Sequence, residues 1–180
     1  FEMTAAYDRA IADYMSGLVD KGTESDDSPL TITLNPRATL RYGENPHQQG
    51  SWYIEPNADP ATLAAAEVLG GKELSYNNLL DVDAALSIIR EFSQPAAVVI
   101  KHNNPCGVAL GVNPVSAYVR ARETDPVSAF GGVIACNQLV DLAMAKEVTS
   151  TFVEVLIAPE FSEDALAELK RKKDLRLLEV

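Results

Sequence analysis

A lysine and a histidine stand side by side at Lys101-His102, directly after five uninterrupted small or β-branched residues, Ala96 to Ile100. An imidazole accepts protons near neutral pH, and an ammonium stabilises developing negative charge. The apolar run before them reads as a strand buried on both faces. Asn103, Asn104, Pro105 and Gly107 follow and predict a turn. In open α/β sheets the carboxyl edge of such strands is where ligands bind. Neighbours in a strand point to opposite faces, so Lys101 and His102 share one substrate only if the chain bends there. The Asn-Asn-Pro turn is expected to supply that bend. The same pair also fits a solvated strand edge.

Other stretches offer chemistry of their own. In Ala38 to Gln48 (A-T-L-R-Y-G-E-N-P-H-Q) the alternation predicts a strand leading into a turn at Gly43. The planar donor fork of Arg41 suits a phosphate, although a surface arginine would read the same way. Gly70 to Asn78 brings backbone donors and Lys72 together as anion loops do, but the glycine spacing is not that of a nucleotide-binding P-loop, and a plain turn fits as well. Asp125 to Gly132 predicts a tight loop in which Gly131 and Gly132 permit close approach to a ligand, or merely the turn. Pro105-Cys106 begins like the Pro-Cys-x-x-Cys of zinc deaminases. However, Ala109 stands at the second cysteine position, and His102 is followed by Asn103 and Asn104 in place of x-Glu. No zinc site is expected.

These residues need a scaffold. The 180 residues suffice for one domain with a proper core, and 47% hydrophobic with 23% charged residues is an ordinary globular composition. No apolar run reaches the roughly 18 residues of a membrane helix. The net charge of −11 argues against general nucleic-acid binding. It does not exclude a small anionic substrate held by locally gathered cations, for which Arg41, Lys72 and Lys101 are candidates. Two cysteines, Cys106 and Cys136, are too few for a disulfide framework and suit a reducing cytosol.

The chain opens within a helical pattern (Ala5, Ala6, Ile11, Ala12, Tyr14, Met15, Leu18), which Gly17 and Gly22 are expected to end. A polar, turn-rich linker covers 21–32. A second short strand is expected over Ser51 to Glu55, and a helix from Asp59-Pro60. A helix capped by Asp81 carries Val82, Ala85, Leu86, Ile89 and Phe92 on one face. Asn113-Pro114 starts another, with Arg120 and Arg122 solvated. Further helices follow caps at Asp141 and Ser162, with strands at Val133–Cys136, Val153–Ile157 and Leu175–Val180. Alternating strands and helices make this an α/β layered domain.

Taken in order, L-R-Y-G-E-N-P-H-Q, K-E-L-S-Y-N-N, K-H-N-N-P-C-G, S-A-F-G-G and I-A-P resemble one family closely. It is the bifunctional purine biosynthesis enzyme that joins phosphoribosylaminoimidazolecarboxamide (AICAR) formyltransferase to IMP cyclohydrolase. The resemblance implies a three-layer α/β/α sandwich with a mixed sheet, cytidine-deaminase-like. It implies a division into a closing helix of the cyclohydrolase module (1–20), the linker and the first half of the formyltransferase (33–180). The chain would then be a fragment of a larger enzyme, inactive or nearly so alone. The implied reaction moves a formyl group from 10-formyltetrahydrofolate to the 5-amino group of AICAR, without a metal, in a cytoplasmic homodimer. Lys101 and His102 match the family's catalytic pair, Arg41 and Tyr42 its substrate-binding pair, and Gly131 the glycine of its Ser-x-Phe-Gly loop. Glu154 falls at its ligand-contacting acidic position.

Overall fold

The computed structural model describes residues 1–19 and 32–180. The linker read over 21–32 lies, but for its last residue, outside the described residues. The chain divides into two units, Phe1–Thr33 and Leu34–Val180. Among its described residues the first holds one helix, α1 (Glu2–Val19). It runs straight through Gly17, which therefore does not end it. A lone glycine costs about 1 kcal/mol against alanine, and good helix formers such as Ala10, Ala12, Met15 and Leu18 offset that.

The second unit carries a small antiparallel pair, β1 (Asn35–Thr39) and β2 (Ser51–Ile54), and a six-stranded sheet. The sheet strands are β3 (Glu67–Gly70), β4 (Ala96–Lys101), β5 (Asn104–Leu110), β6 (Gly132–Cys136), β7 (Val153–Ala158) and β8 (Arg176–Glu179). Their order is β3-β8-β7-β6-β4-β5. Only β6, β7 and β8 run parallel to one another; the outer pairings are antiparallel. The sheet is mixed.

Side-chain alternation sorts each strand between two cores. Ala96, Val98 and Ile100 of β4 join Val82, Ala85, Leu86 and Ile89 of helix α2 (Tyr76–Ile89) on one face. Ala97 and Val99 face a second core formed with α3 (Pro114–Thr124), α5 (Leu142–Thr149) and α6 (Glu163–Leu169). A single turn, α4 (Pro126–Ala129), joins α3 to β6. The result is three layers, α/β/α. The five apolar residues of β4 are all buried, so each larger one contributes about 1.5–3 kcal/mol.

Several local expectations change. No α-helix follows Asp59-Pro60. The Asp59 carboxylate caps the Ala61 N–H at 2.8 Å, a 3₁₀ turn covers Leu63–Ala65, and β3 forms instead. Pairing with β8 at the sheet edge overrides the local alanine-rich preference. Helix α2 begins five residues before Asp81. Ser75 is its cap, its hydroxyl accepting from the Asn78 N–H while the Asn78 amide oxygen accepts from the Ser75 N–H. Arg122 is not solvated: it pairs with Glu147 at 3.2 Å and lies 5.3 Å from the Tyr118 ring centroid. Arg120 stays exposed, with a bond to the Leu110 carbonyl at 2.6 Å.

The turn after β4 is also tighter than expected. Lys101 pairs with Asn104, so Asn104 and Pro105 already belong to β5 and only His102 and Asn103 make the turn. The bend is supplied by the histidine itself.

Candidate functional site at one edge of the sheet

Register places the candidate residues. Ile100 of β4 pairs with Val133 of β6, Val133 with Val155 of β7, and Val155 with Arg176 of β8. One row therefore crosses the sheet. Just beyond it lie Lys101 and His102 at the end of β4, Gly131 before β6 and Glu154 near the start of β7. Because β4 opposes the parallel strands, the carboxyl end of β4 coincides with their amino ends. The candidate site is thus not at the carboxyl edge of the parallel strands, where ligands usually sit in open α/β sheets.

Lys101 is half-buried, and its Nζ donates to the Phe130 carbonyl at 2.8 Å. An ammonium has three donors, so two remain for a ligand. His102 is exposed, with φ of 52°. The peptide that follows it is held at both ends. The Asn103 N–H donates to the Asp81 carboxylate at 2.6 Å, and the His102 carbonyl accepts from the Asn104 side-chain amide at 2.8 Å. Gly131 has φ of 74° and donates its N–H to the Phe152 carbonyl at 2.8 Å, a conformation that favours glycine. Gly132 is needed for a different reason: a Cβ there would stand 2.9 Å from the Ile100 carbonyl.

Arg41 and Tyr42 lie beyond the end of β1, not within a strand. Their backbone is sewn to the segment before α2. The Arg41 N–H donates to the Leu74 carbonyl at 2.9 Å and the Tyr76 N–H to the Tyr42 carbonyl at 3.2 Å. The Arg41 guanidinium is exposed and lies 5.5 Å from the Tyr42 ring centroid, a cation–π distance.

Glu154 accepts from the Asn78 side-chain amide at 2.9 Å, and Arg176 stands 3.9 Å from the same carboxylate oxygen. Arg176 is 5% exposed and occupies the place in the cross-sheet row where β4, β6 and β7 carry Ile100, Val133 and Val155. Its Nε donates to the Glu73 carbonyl at 3.0 Å. Burial pulls the Arg176 guanidinium below its ordinary value; Glu154 opposes this and the like charge of Arg41 adds to it. It remains a cation at any ordinary pH.

Helix α2 spans both halves of this arrangement. Asn78 holds Glu154 and Asp81 holds the turn after His102, and residues three apart lie on one side of a helix. Sequence reasoning missed Arg176, Asn78 and Asp81. A charge among leucines at 175–178 and the Ser75-x-x-Asn78 spacing were the available signals.

Gly71 and Lys72 serve the scaffold. Gly71 has φ of 98° and leaves no room for a Cβ against Leu175 and Arg176, while Lys72 pairs with Asp174 at 2.9 Å. The thiols are poor nucleophiles. Burial pushes Cys136 up to about 12, and burial followed by the charge of Asp125 raises Cys106. Among the described residues no three His, Cys, Asp or Glu side chains converge as a metal site, and no helix is long and apolar enough to cross a membrane. An open cleft of about 620 Å³, lined by Phe130, Phe152, Arg171 and Lys173 among others, adjoins the site at Phe130 but includes none of the six candidate residues.

Comparison with known families decides the relationship. The family described as the AICARFT/IMPCHase bienzyme matches residues 1–180. The chain belongs to this family. It is 52% identical over 180 residues to the bifunctional purine biosynthesis protein PurH of Shouchella clausii (strain KSM-K16) and to that of Bacillus cereus (strain B4264). It is 51% identical to that of Bacillus thuringiensis (strain Al Hakam). Each match covers 100% of this chain and 35% of the relative, so the chain spans about a third of the length of these family members.

Proposed function

We propose that this chain forms part of an AICAR formyltransferase, which moves the formyl group of 10-formyltetrahydrofolate to the 5-amino group of AICAR in purine biosynthesis. The reading is supported by membership of the bienzyme family and by the hydrogen bonds that tie Glu154 and the His102-Asn103 turn to α2 and Lys101 to the carbonyl just before Gly131. The folate is a co-substrate. In the longer protein of which the curated relatives are examples, further contacts to it come from segments outside this match. The finer fold relationship is cytidine-deaminase-like, with 33–180 as the first of two similar halves and 1–20 closing the cyclohydrolase module. The working enzyme is a cytoplasmic homodimer.

The chemistry explains the residue types. The AICAR amine is a poor nucleophile because its lone pair is delocalised into the ring and carboxamide. As its nitrogen bonds to the formyl carbon, His102 accepts the proton it sheds, and the two free Nζ donors of Lys101 meet the oxyanion on that carbon. The bond between the formyl carbon and N10 of the folate then breaks, and N10 leaves with a proton as tetrahydrofolate. Arg41 and Tyr42 hold the phosphate, Gly131 lets the backbone approach, and the Glu154 carboxylate, an acceptor only, takes a donor of the nucleotide.

The test is a steady-state assay of the full-length protein with AICAR and 10-formyltetrahydrofolate. Tetrahydrofolate is expected in an amount equal to formyl-AICAR and its cyclised product IMP together, with little or no turnover by the 180 residues alone. Absence of transfer by the full-length protein would overturn the reading.

A further inference from the structure

A two-residue hairpin loop that follows the right-handed twist of its strands takes positive φ at both positions, and Asn-Gly or Gly-Gly supply this most readily. Here the loop is His102-Asn103, with φ of 52° and 63° and no glycine. Residues in such sparsely populated conformations persist when their surroundings hold them. The surroundings act on one peptide plane, the one between His102 and Asn103. Its N–H is gripped by the Asp81 carboxylate at 2.6 Å and its carbonyl by the Asn104 amide at 2.8 Å. The two common forms of this loop differ by a flip of that plane, which leaves the first residue at positive φ and returns the second to negative φ. A charged acceptor on a backbone N–H is among the stronger hydrogen bonds. Asp81 comes from helix α2, whose buried face is anchored to β4 itself through Val82, Ala85 and Leu86.

We infer that Asp81 is a positioning residue: by clamping the Asn103 N–H it locks the His102-Asn103 peptide against flipping and thereby holds His102 at the ψ on which the choice of rotamer for its imidazole depends. This rests on the reading of His102 as the base. Asp81 need not touch substrate. Its effect passes through the ψ angle of His102, which the orientation of that peptide sets.

The experiment uses the full-length protein and four variants: Asp81→Ala, Asp81→Asn, Asp81→Ala combined with Asn103→Gly, and Asp83→Ala. Asp83 is exposed on the same helix and serves as control. Single-turnover formyl transfer, KM for AICAR, and hydrogen exchange of the peptide covering 101–106 are measured. Asp81→Ala is expected to slow transfer by about 10²-fold, the scale of a misplaced catalytic group, with KM changed by less than about threefold. Asp81→Asn keeps an acceptor oxygen and should retain more activity. Asn103→Gly in the alanine background should restore at least about fivefold, because glycine adopts positive φ without help. Exchange at 101–106 should quicken in Asp81→Ala and not in Asp83→Ala. Transfer by Asp81→Ala within about threefold of wild type would overturn the inference. So would a loss in both alanine and asparagine variants that tracks global unfolding and is not rescued by Asn103→Gly, which marks a mere tether. If the wild-type protein transfers no formyl group, the functional reading fails separately; exchange unchanged by Asp81→Ala would then remove the clamp as well.

Discussion

The two ends of the candidate site are built on opposite plans. At the Lys101 end a half-buried lysine closes β4 and His102 sits on an exposed two-residue turn, held by the Asn104 side-chain amide and by one carboxylate from α2. At the Glu154 end a buried arginine, a buried asparagine and a carboxylate lie against one another in the floor of the sheet. The first plan suits the proposed chemistry, in which the imidazole and the two remaining donors of the ammonium meet charge that appears only during reaction. The second fixes charge in advance, which suits the proposed holding of a ground-state ligand. One sheet edge thus carries both an accessible turn at positive φ and a preformed network built on a buried arginine and a buried asparagine.

The largest effect is expected from removing the imidazole. His102→Ala in the full-length protein is expected to lower formyl transfer by about 10²–10⁴-fold while AICAR affinity changes little. Single-turnover kinetics beside calorimetry check it. An equal loss of affinity would place His102 in binding and erase the division.

The opposite end should answer with stability. Arg176→Met removes the donor to the Glu73 carbonyl and the partner of Glu154. An orphaned buried acceptor costs about 1–3 kcal/mol, and denaturant midpoints of the two proteins would show it. The Glu154 side chain is 41% exposed, so water takes up part of the lost pairing and the lower half of that range is expected. An unchanged midpoint would mean that the arginine contributes nothing to holding this end together.

Arg41 offers a smaller effect than His102. Its guanidinium is exposed, so Arg41→Ala should leave stability alone and weaken AICAR binding by about 1.5–3 kcal/mol, the worth of a charged hydrogen bond. Unchanged affinity by calorimetry would take Arg41 out of the site.

Much of the scaffold was readable because burial writes itself into residue type. Ala96 to Ile100, buried on both faces between two helical layers, had no polar residue to disguise it. The Asp141 and Ser162 caps were equally plain, since each side chain accepts from the N–H three residues on. What stayed hidden depended on partners distant in the chain. Strand β3 exists because β8 pairs with it, and nothing local in Glu67–Gly70 announces that. The sequence predicts the turn from Asn103 onward, one residue later than the His102-Asn103 turn that forms, because Asn104-Pro105 is a stronger turn signal than a histidine at positive φ. Pro105 is tolerated in β5 because that strand lies at the sheet edge. At the site, motif residues were legible one by one, but the anchoring roles of Arg176, Asn78 and Asp81 are properties of register and helix phase.

The separations in sequence carry a consequence for assembly. The hairpin that presents His102 closes between Lys101 and Asn104, whereas Asn78 reaches Glu154 across 76 residues and Arg176 reaches the Glu73 carbonyl across 103. Closing a loop costs entropy that grows with its length, and local contacts form soonest. On a ribosome the chain emerges from its amino end, so the turn can take shape while Arg176 is still unmade. The Glu154 end is then the last part of this sheet edge that synthesis allows to close.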